Sequence, residues 1–204
     1  MKKTLTLLIL LSSLCIACNN KPESNSGSCC SKKKLTEKPA KLSGESIYNL
    51  TSEWITQNEE NYTLDHFKNK IIIAAMIFTH CESACPRIVA DMRRIETSLT
   101  ESERRQVSFL LISMDPERDS PARLTEFARE HELSSNWTLI CSSQDATMEI
   151  ANVLGVRVKK LDGGGFDHSN IIHVLDKQGV INFQQNGFSA DQDESLKAIR
   201  KLMD

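Results

Sequence analysis

Ile71-Ile72-Ile73-Ala74-Ala75-Met76-Ile77 is an unbroken apolar run, and it constrains the fold more than any other stretch of the chain. A strand with one wet face alternates apolar and polar residues. A continuous run of this length reads instead as a strand buried on both faces, bounded by elements that cover it. The chain continues as Phe78-Thr79-His80-Cys81-Glu82-Ser83-Ala84-Cys85-Pro86, and the proline marks the start of a helix. Two thiols at i and i+4 on a starting helix share a face, with Cβ atoms roughly 5–6 Å apart. That spacing lets both sulfurs hold one soft metal ion, and a small loop adjustment also permits a disulfide. The helix N-terminus favours the thiolate that either chemistry needs. Metal binding and redox exchange are both open to such a pair.

Further strands and helices alternate around this junction. Glu53 to Thr63 reads as a hairpin ahead of the Ile71–Phe78 strand, and Pro86 to Leu99 as the helix after it, with Ile88, Val89, Met92 and Ile95 as its apolar stripe. Val107 to Ile112 is a second buried strand. Ser120-Pro121 caps and opens a helix carrying Leu124, Phe127 and Ala128. Leu139 to Cys141 is a short strand, and Asp145 to Leu154 a helix closed by Gly155. Ile171–Leu175 and Val180–Phe183 flank the turn Asp176-Lys177-Gln178-Gly179, and Asp191 to Met203 is a last helix. The expected class is α/β: a mixed central sheet with helices on both faces. With a cysteine motif at the first strand-to-helix junction, it looks like a thioredoxin fold.

The N-terminus has the form of an export signal. Lys2 and Lys3 precede an apolar core from Leu5 to Leu14 that is too short to span a membrane comfortably. The core ends in Leu14-Cys15-Ile16-Ala17-Cys18, which resembles the lipobox of bacterial lipoproteins, with Cys18 as the acylated residue. Residues 1–18 are therefore expected to be a signal peptide, 19–45 a tether rich in Asn, Ser, Lys and Pro, and 46–204 the folded domain. The expected location is the bacterial cell envelope, on a membrane through the lipid anchor and facing the periplasm or exterior. That compartment is oxidising, so free thiols there need a reason to persist. Cys29-Cys30 in the tether reads as an incidental thiol pair, or as a place to pick up copper. A formal net charge of −2 over 204 residues leaves no basic excess to argue for a nucleic-acid partner.

Downstream, Gly163-Gly164-Gly165-Phe166-Asp167-His168-Ser169 precedes the Ile171 strand. The glycines give that loop freedom to bring His168 across to the cysteine pair. Two thiolates and an imidazole suit copper: thiolates select Cu(I), and imidazole accommodates Cu(II). The glycine run is no phosphate loop, since neither a following helix nor a GK[ST] ending is present. His173, inside a strand, reads as structural, and His80 as a neighbour of the site whose side chain points away from that of Cys81. Cys141 reads as a small buried hydrophobe. Asp115 to Asp119 is either a docking loop or a capped turn.

Three pieces together resemble the Sco/SenC family of copper-binding thioredoxin-like proteins. They are Thr79-His80-Cys81 to Cys85-Pro86, Ile112-Ser113-Met114-Asp115-Pro116-Glu117-Arg118-Asp119 with Ser120-Pro121, and Asp167-His168 ahead of Ile171–Asp176 and Gly179. The resemblance implies that Cys81, Cys85 and His168 bind copper. It also implies delivery to the binuclear copper centre of cytochrome c oxidase, whose subunit II is then the acceptor. A copper donor or a thiol reductant would be the other partner. Some members act as thiol-disulfide reductases, a role in which Cys81 and Cys85 would be catalytic and would pass through a mutual disulfide; a copper or redox sensor with no delivery task is a third option. Glu82 stands where the family usually has proline and adds a negative charge beside the thiols.

Overall fold

The computed structural model describes residues 42–162, 165–188 and 191–203. Cys18, Cys29 and Cys30, and with them the expected signal peptide and lipid attachment point, lie outside the described residues.

The apolar run forms the central strand. β3 (Ile71–Ile77) is buried at every position, on both faces. It pairs in parallel with β4 (Val107–Ser113), from Ile71↔Val107 to Ile77↔Ser113. On its other edge it pairs antiparallel with β8 (Ile171–Leu175), from Ile72↔Leu175 to Ala74↔His173. The sheet extends through β5 (Trp137–Cys141), β1 (Trp54–Thr56) and β2 (Asn61–Tyr62) on one side and β9 (Ile181–Asn186) on the other, giving the order β2-β1-β5-β4-β3-β8-β9. Full burial of each β3 isoleucine contributes about 1.5–3 kcal/mol, so this strand dominates the core.

Helices cover both faces, as the burial of β3 and β4 requires. α1 (Ala84–Ser98) follows β3, and α3 (Pro121–Glu130) follows β4 with Ser120 accepting the Arg123 N–H as its cap. α4 (Gln144–Leu154) ends at Gly155 in the left-handed region at φ 67°, where glycine carries no Cβ penalty. α5 (Asp193–Lys201) closes the chain and touches α1. The result is the mixed α/β sheet of a thioredoxin-like fold.

A short helix and a separate ribbon were not expected from the sequence. The helix, α2 (Glu101–Arg104), is held by a capping box between Thr100 and Glu103. Phe166–His168, after the glycines, forms β7, which pairs with β6 (Val158–Lys160) as a ribbon separate from the main sheet. The described chain enters the domain against the β8–β9 turn. The Ile47 N–H bonds the Gly179 carbonyl at 3.0 Å, and the Ser46 hydroxyl donates to the Gln178 carbonyl. Gly179 sits at φ 75°, and a Cβ there would come within 2.9 Å of the Tyr48 ring.

Candidate metal centre

β3 hands the chain to the cysteine turn. The Cys81 N–H bonds the Phe78 carbonyl at 3.1 Å, closing a tight turn at the strand end. α1 begins at Ala84 rather than at Pro86, so Cys85 already lies in its first turn. Ser83 at the helix start makes no side-chain capping bond. The Cys81 sulfur takes that place, accepting the Cys85 N–H at 3.4 Å. Pro86 has no N–H to satisfy, which leaves one orphan fewer in the first turn.

The two thiols have opposite surroundings. Cys85 is fully buried, and its sulfur accepts the Phe78 N–H at 3.5 Å; Cys81 is half-buried. The Cys85 thiol donates to the Cys81 sulfur, and the N–H groups of Cys85, Ser83 and Ala84 add to it. Together they outweigh burial and lower the Cys81 thiol to about 4. Giving that hydrogen bond pushes the Cys85 thiol up, with burial and the charges of Cys81 and Asp119 acting the same way. The pair is one thiolate at the surface and one thiol beneath it.

His168 approaches from the β6–β7 ribbon, where it pairs with Val158. Its Nδ1 lies 3.2 Å from the Ser169 carbonyl. A carbonyl only accepts, so this bond needs the proton on Nδ1 and leaves the Nε2 lone pair free, the usual preparation of a ligating histidine. The imidazole stands edge-on to the Phe78 ring, with centroids 5.9 Å apart and planes at 83°. Phe166 packs on the same ring at 5.1 Å. On the far strand, Lys160 Nζ reaches Glu117 Oε2 at 2.5 Å.

Among the described residues, the one set of three His, Cys, Asp or Glu donors lying within 4.8 Å of one another is His80, Asp115 and Asp119. The two sulfurs and the His168 nitrogen do not meet that spacing together. The two aspartates are already engaged. Asp119, 1% exposed, accepts the Thr79 N–H at 3.2 Å and the hydroxyls of Thr79 and Ser113 at 2.6 Å each. Asp115 accepts Arg118 Nε. Of the two readings of Asp115 to Asp119, the capped turn holds for the aspartates, while Glu117 and Arg118 face solvent.

Arg123, which the sequence did not single out, braces the same turn from α3. Its guanidinium donates to the Thr79 hydroxyl at 3.1 Å and the Thr79 carbonyl at 3.3 Å, and ion-pairs with Glu126 and Glu130. His80 Nδ1 rests 3.3 Å from the Thr79 hydroxyl and 3.8 Å from Asp119, beside the site. His173 is fully buried with Nε2 2.9 Å from the Leu154 carbonyl, and burial lowers its pKa. It is the structural histidine expected. Cys141 is buried, its sulfur 3.8 Å from the Ile55 carbonyl.

A thioredoxin-like sheet with a thiolate and a thiol at the end of its central strand defines the class of protein. The SCO1/SenC family model matches residues 42–204, and the chain belongs to that family. The SCO1 protein homolog of Bacillus subtilis (strain 168) is 29% identical over 135 residues, 64% of this chain and 69% of that protein. BsSco, a member of the Sco family of cytochrome c oxidase assembly proteins in which a disulfide switch is identified, is 28% identical. Its match covers 74% of this chain and 90% of its own, with a TM-score of 0.65. The copper-bound crystal structure of Arabidopsis thaliana ScoI is 21% identical over 74% of this chain and 96% of its own, with a TM-score of 0.63.

Proposed function

We propose that this protein is an exported copper metallochaperone that takes up one copper ion through Cys81, Cys85 and His168 and passes it to an acceptor protein. The observation that carries the reading is the unequal thiol pair: a half-buried thiolate over a buried thiol, with a histidine whose Nε2 is free on the neighbouring ribbon. Copper bound to ScoI supports the choice of metal. The oxidase-assembly role of the family to which BsSco is assigned supports cytochrome c oxidase subunit II as the acceptor. Copper is cargo here. Cys81, the accessible sulfur, is where an incoming thiolate would begin ligand exchange, one ligand at a time. The Cys18 lipid anchor would keep the chain on the envelope membrane.

A second reading is thiol-disulfide exchange, favoured by the same asymmetry. The Cys81 thiolate would attack an acceptor disulfide and form a mixed disulfide with loss of one acceptor thiolate. Cys85, giving up its proton, would then attack Cys81 sulfur, releasing the second acceptor thiol and leaving the Cys81–Cys85 disulfide.

His168→Ala separates the two. A metal carrier should lose most Cu(II) binding and acceptor metallation but keep Cu(I), which two thiolates hold alone. A reductase should keep its exchange rate. Normal metallation by the variant, or brisk disulfide turnover by the wild type, would move the assignment to the enzyme. For the anchor, the mature chain should begin at Cys18 and fractionate with membranes, and Cys18→Ser should release it or stall its processing. A soluble wild-type chain starting elsewhere removes that part.

A further inference from the structure

Phe78 touches all three residues proposed to hold copper. Its N–H reaches Cys85 Sγ at 3.5 Å, its carbonyl accepts the Cys81 N–H at 3.1 Å, and its ring meets the His168 imidazole edge-on. The two backbone contacts follow from the strand end and would survive a change of side chain. The ring contact belongs to the side chain alone. At 6% exposure, the ring is wedged between the end of β3 and the ribbon, with Phe166 against it as well.

We propose that Phe78 is the positioning residue of this site, its ring setting where and how the His168 imidazole stands relative to the two sulfurs; the inference rests on the copper reading above. Strands of three residues do not hold a ribbon in place by themselves. The Lys160–Glu117 pair on its outer strand is solvent-exposed, with half or more of each side chain accessible, and holds little. Val158 and Phe166 both pack against the core, and of the two it is the aromatic face that seats the ribbon against the end of β3 beside the thiols. The Nδ1 bond to Ser169 fixes one edge of the imidazole and the Phe78 ring limits its tilt, so Nε2 is presented in one direction. Groups that orient a metal-binding histidine typically account for about 10- to 100-fold in affinity. Because two thiolates suffice for Cu(I), the effect should fall on Cu(II).

The test uses the reduced full chain and three variants. Phe78→Leu keeps both backbone bonds and removes the ring, Phe78→Tyr keeps the ring, and Phe78→Leu/His168→Ala removes both partners. Phe78→Leu should lower Cu(II) affinity about 10- to 100-fold, with Cu(I) affinity and thiol-disulfide exchange unchanged, and Phe78→Tyr should restore Cu(II) binding. The double variant should bind Cu(II) no more weakly than His168→Ala alone. Equal losses for both oxidation states, or fully additive losses in the double variant, would overturn the assignment. NMR supplies a readout free of metal. The wild type should show ring-to-imidazole NOEs and ring-current-shifted His168 protons that return to ordinary positions in Phe78→Leu. Absence of those NOEs in the wild type overturns the proposal even if Phe78→Leu does not fold. If the NOEs hold while the wild type binds no copper, the copper reading fails and the positioning of His168 by Phe78 stands.

Discussion

The cysteine turn and the β6–β7 ribbon meet at the Phe78 ring, yet they are attached to the molecule by different forces. The turn is anchored from within. Asp119 gathers donors from Thr79 and Ser113 in a site closed to water, and Arg123 holds the Thr79 carbonyl and hydroxyl from the other side. The ribbon is attached from outside, by aromatic contacts on one strand and by Val158 packing and an exposed Lys160–Glu117 pair on the other. Buried, fully satisfied polar networks rigidify, whereas exposed ion pairs contribute about 0–1 kcal/mol. The molecule thus offers two sulfurs held by a buried polar network and one nitrogen held by apolar packing and a single hydrogen bond. Such a division suits an ion whose preferred ligand set changes with its charge.

The largest expected effect tests the fixed side through Cys81. Its thiol is lowered from the ordinary thiol range to about 4, so alkylation by iodoacetamide should stay nearly constant from pH 8 to 5 and fall only as pH drops through about 4. Cys85 should stay unlabelled throughout. The linkage has a definite sign: a depressed thiol pKa contributes stability that is present above the unfolded value and lost as pH falls through the folded one. Wild-type stability should therefore rise from pH 5 to pH 8 relative to Cys81→Ala in urea titrations. A labelling midpoint near the ordinary thiol value would show that the turn does not hold its sulfur as described.

Next in size is Asp119→Ala. Removing the carboxylate strands three buried donors, each costing about 1–3 kcal/mol when unpaired. A loss of about 3–5 kcal/mol in urea unfolding is expected. A loss below about 1 kcal/mol would place both attachments in the same energetic class and dissolve the contrast. Smallest is Lys160→Ala on the ribbon, which should cost no more than about 0.5 kcal/mol and less still in high salt, since the pair is exposed and screened. A larger loss would mean that the outer strand carries weight which the present geometry assigns to Phe78 and Phe166.

What could be read from the chain was whatever a local pattern encodes. The Ile71–Ile77 run, the Ser120-Pro121 cap and the left-handed Gly155 each state their structure in a few adjacent residues. The thiol pair at the strand-to-helix junction was equally legible, although only Cys85 lies on α1 and Cys81 sits in the turn before it. The capping box at Thr100–Glu103 carried its usual signature and went unread, because the helix it starts is only four residues long. The β6–β7 ribbon had no pattern to read. Val158-Lys159-Lys160 is short and largely charged, and its pairing with Phe166–His168 is made across a glycine run. The anchoring of Thr79 by Asp119 joins residues forty positions apart, and only the parallel pairing of β3 with β4 brings them together. The start of α1 at Ala84 depended on the Cys81 sulfur acting as a helix cap, a role for which serine or aspartate is the expected residue.

The docking of Ser46, Ile47 and Tyr48 against the Gln178–Gly179 turn bears on how the molecule faces its surroundings. β8 runs antiparallel to β3, with Leu175 opposite Ile72. The turn after β8 therefore lies beside the first residues of β3, while the thiols follow its last. Seven residues of strand separate the two ends, roughly 20 Å at about 3.3 Å per residue. The first described residues, Ser46 to Tyr48, and the cysteine turn therefore lie at opposite ends of the central strand, so a contact made at Cys81 and a change made at the Gln178–Gly179 turn act on opposite poles of the folded domain.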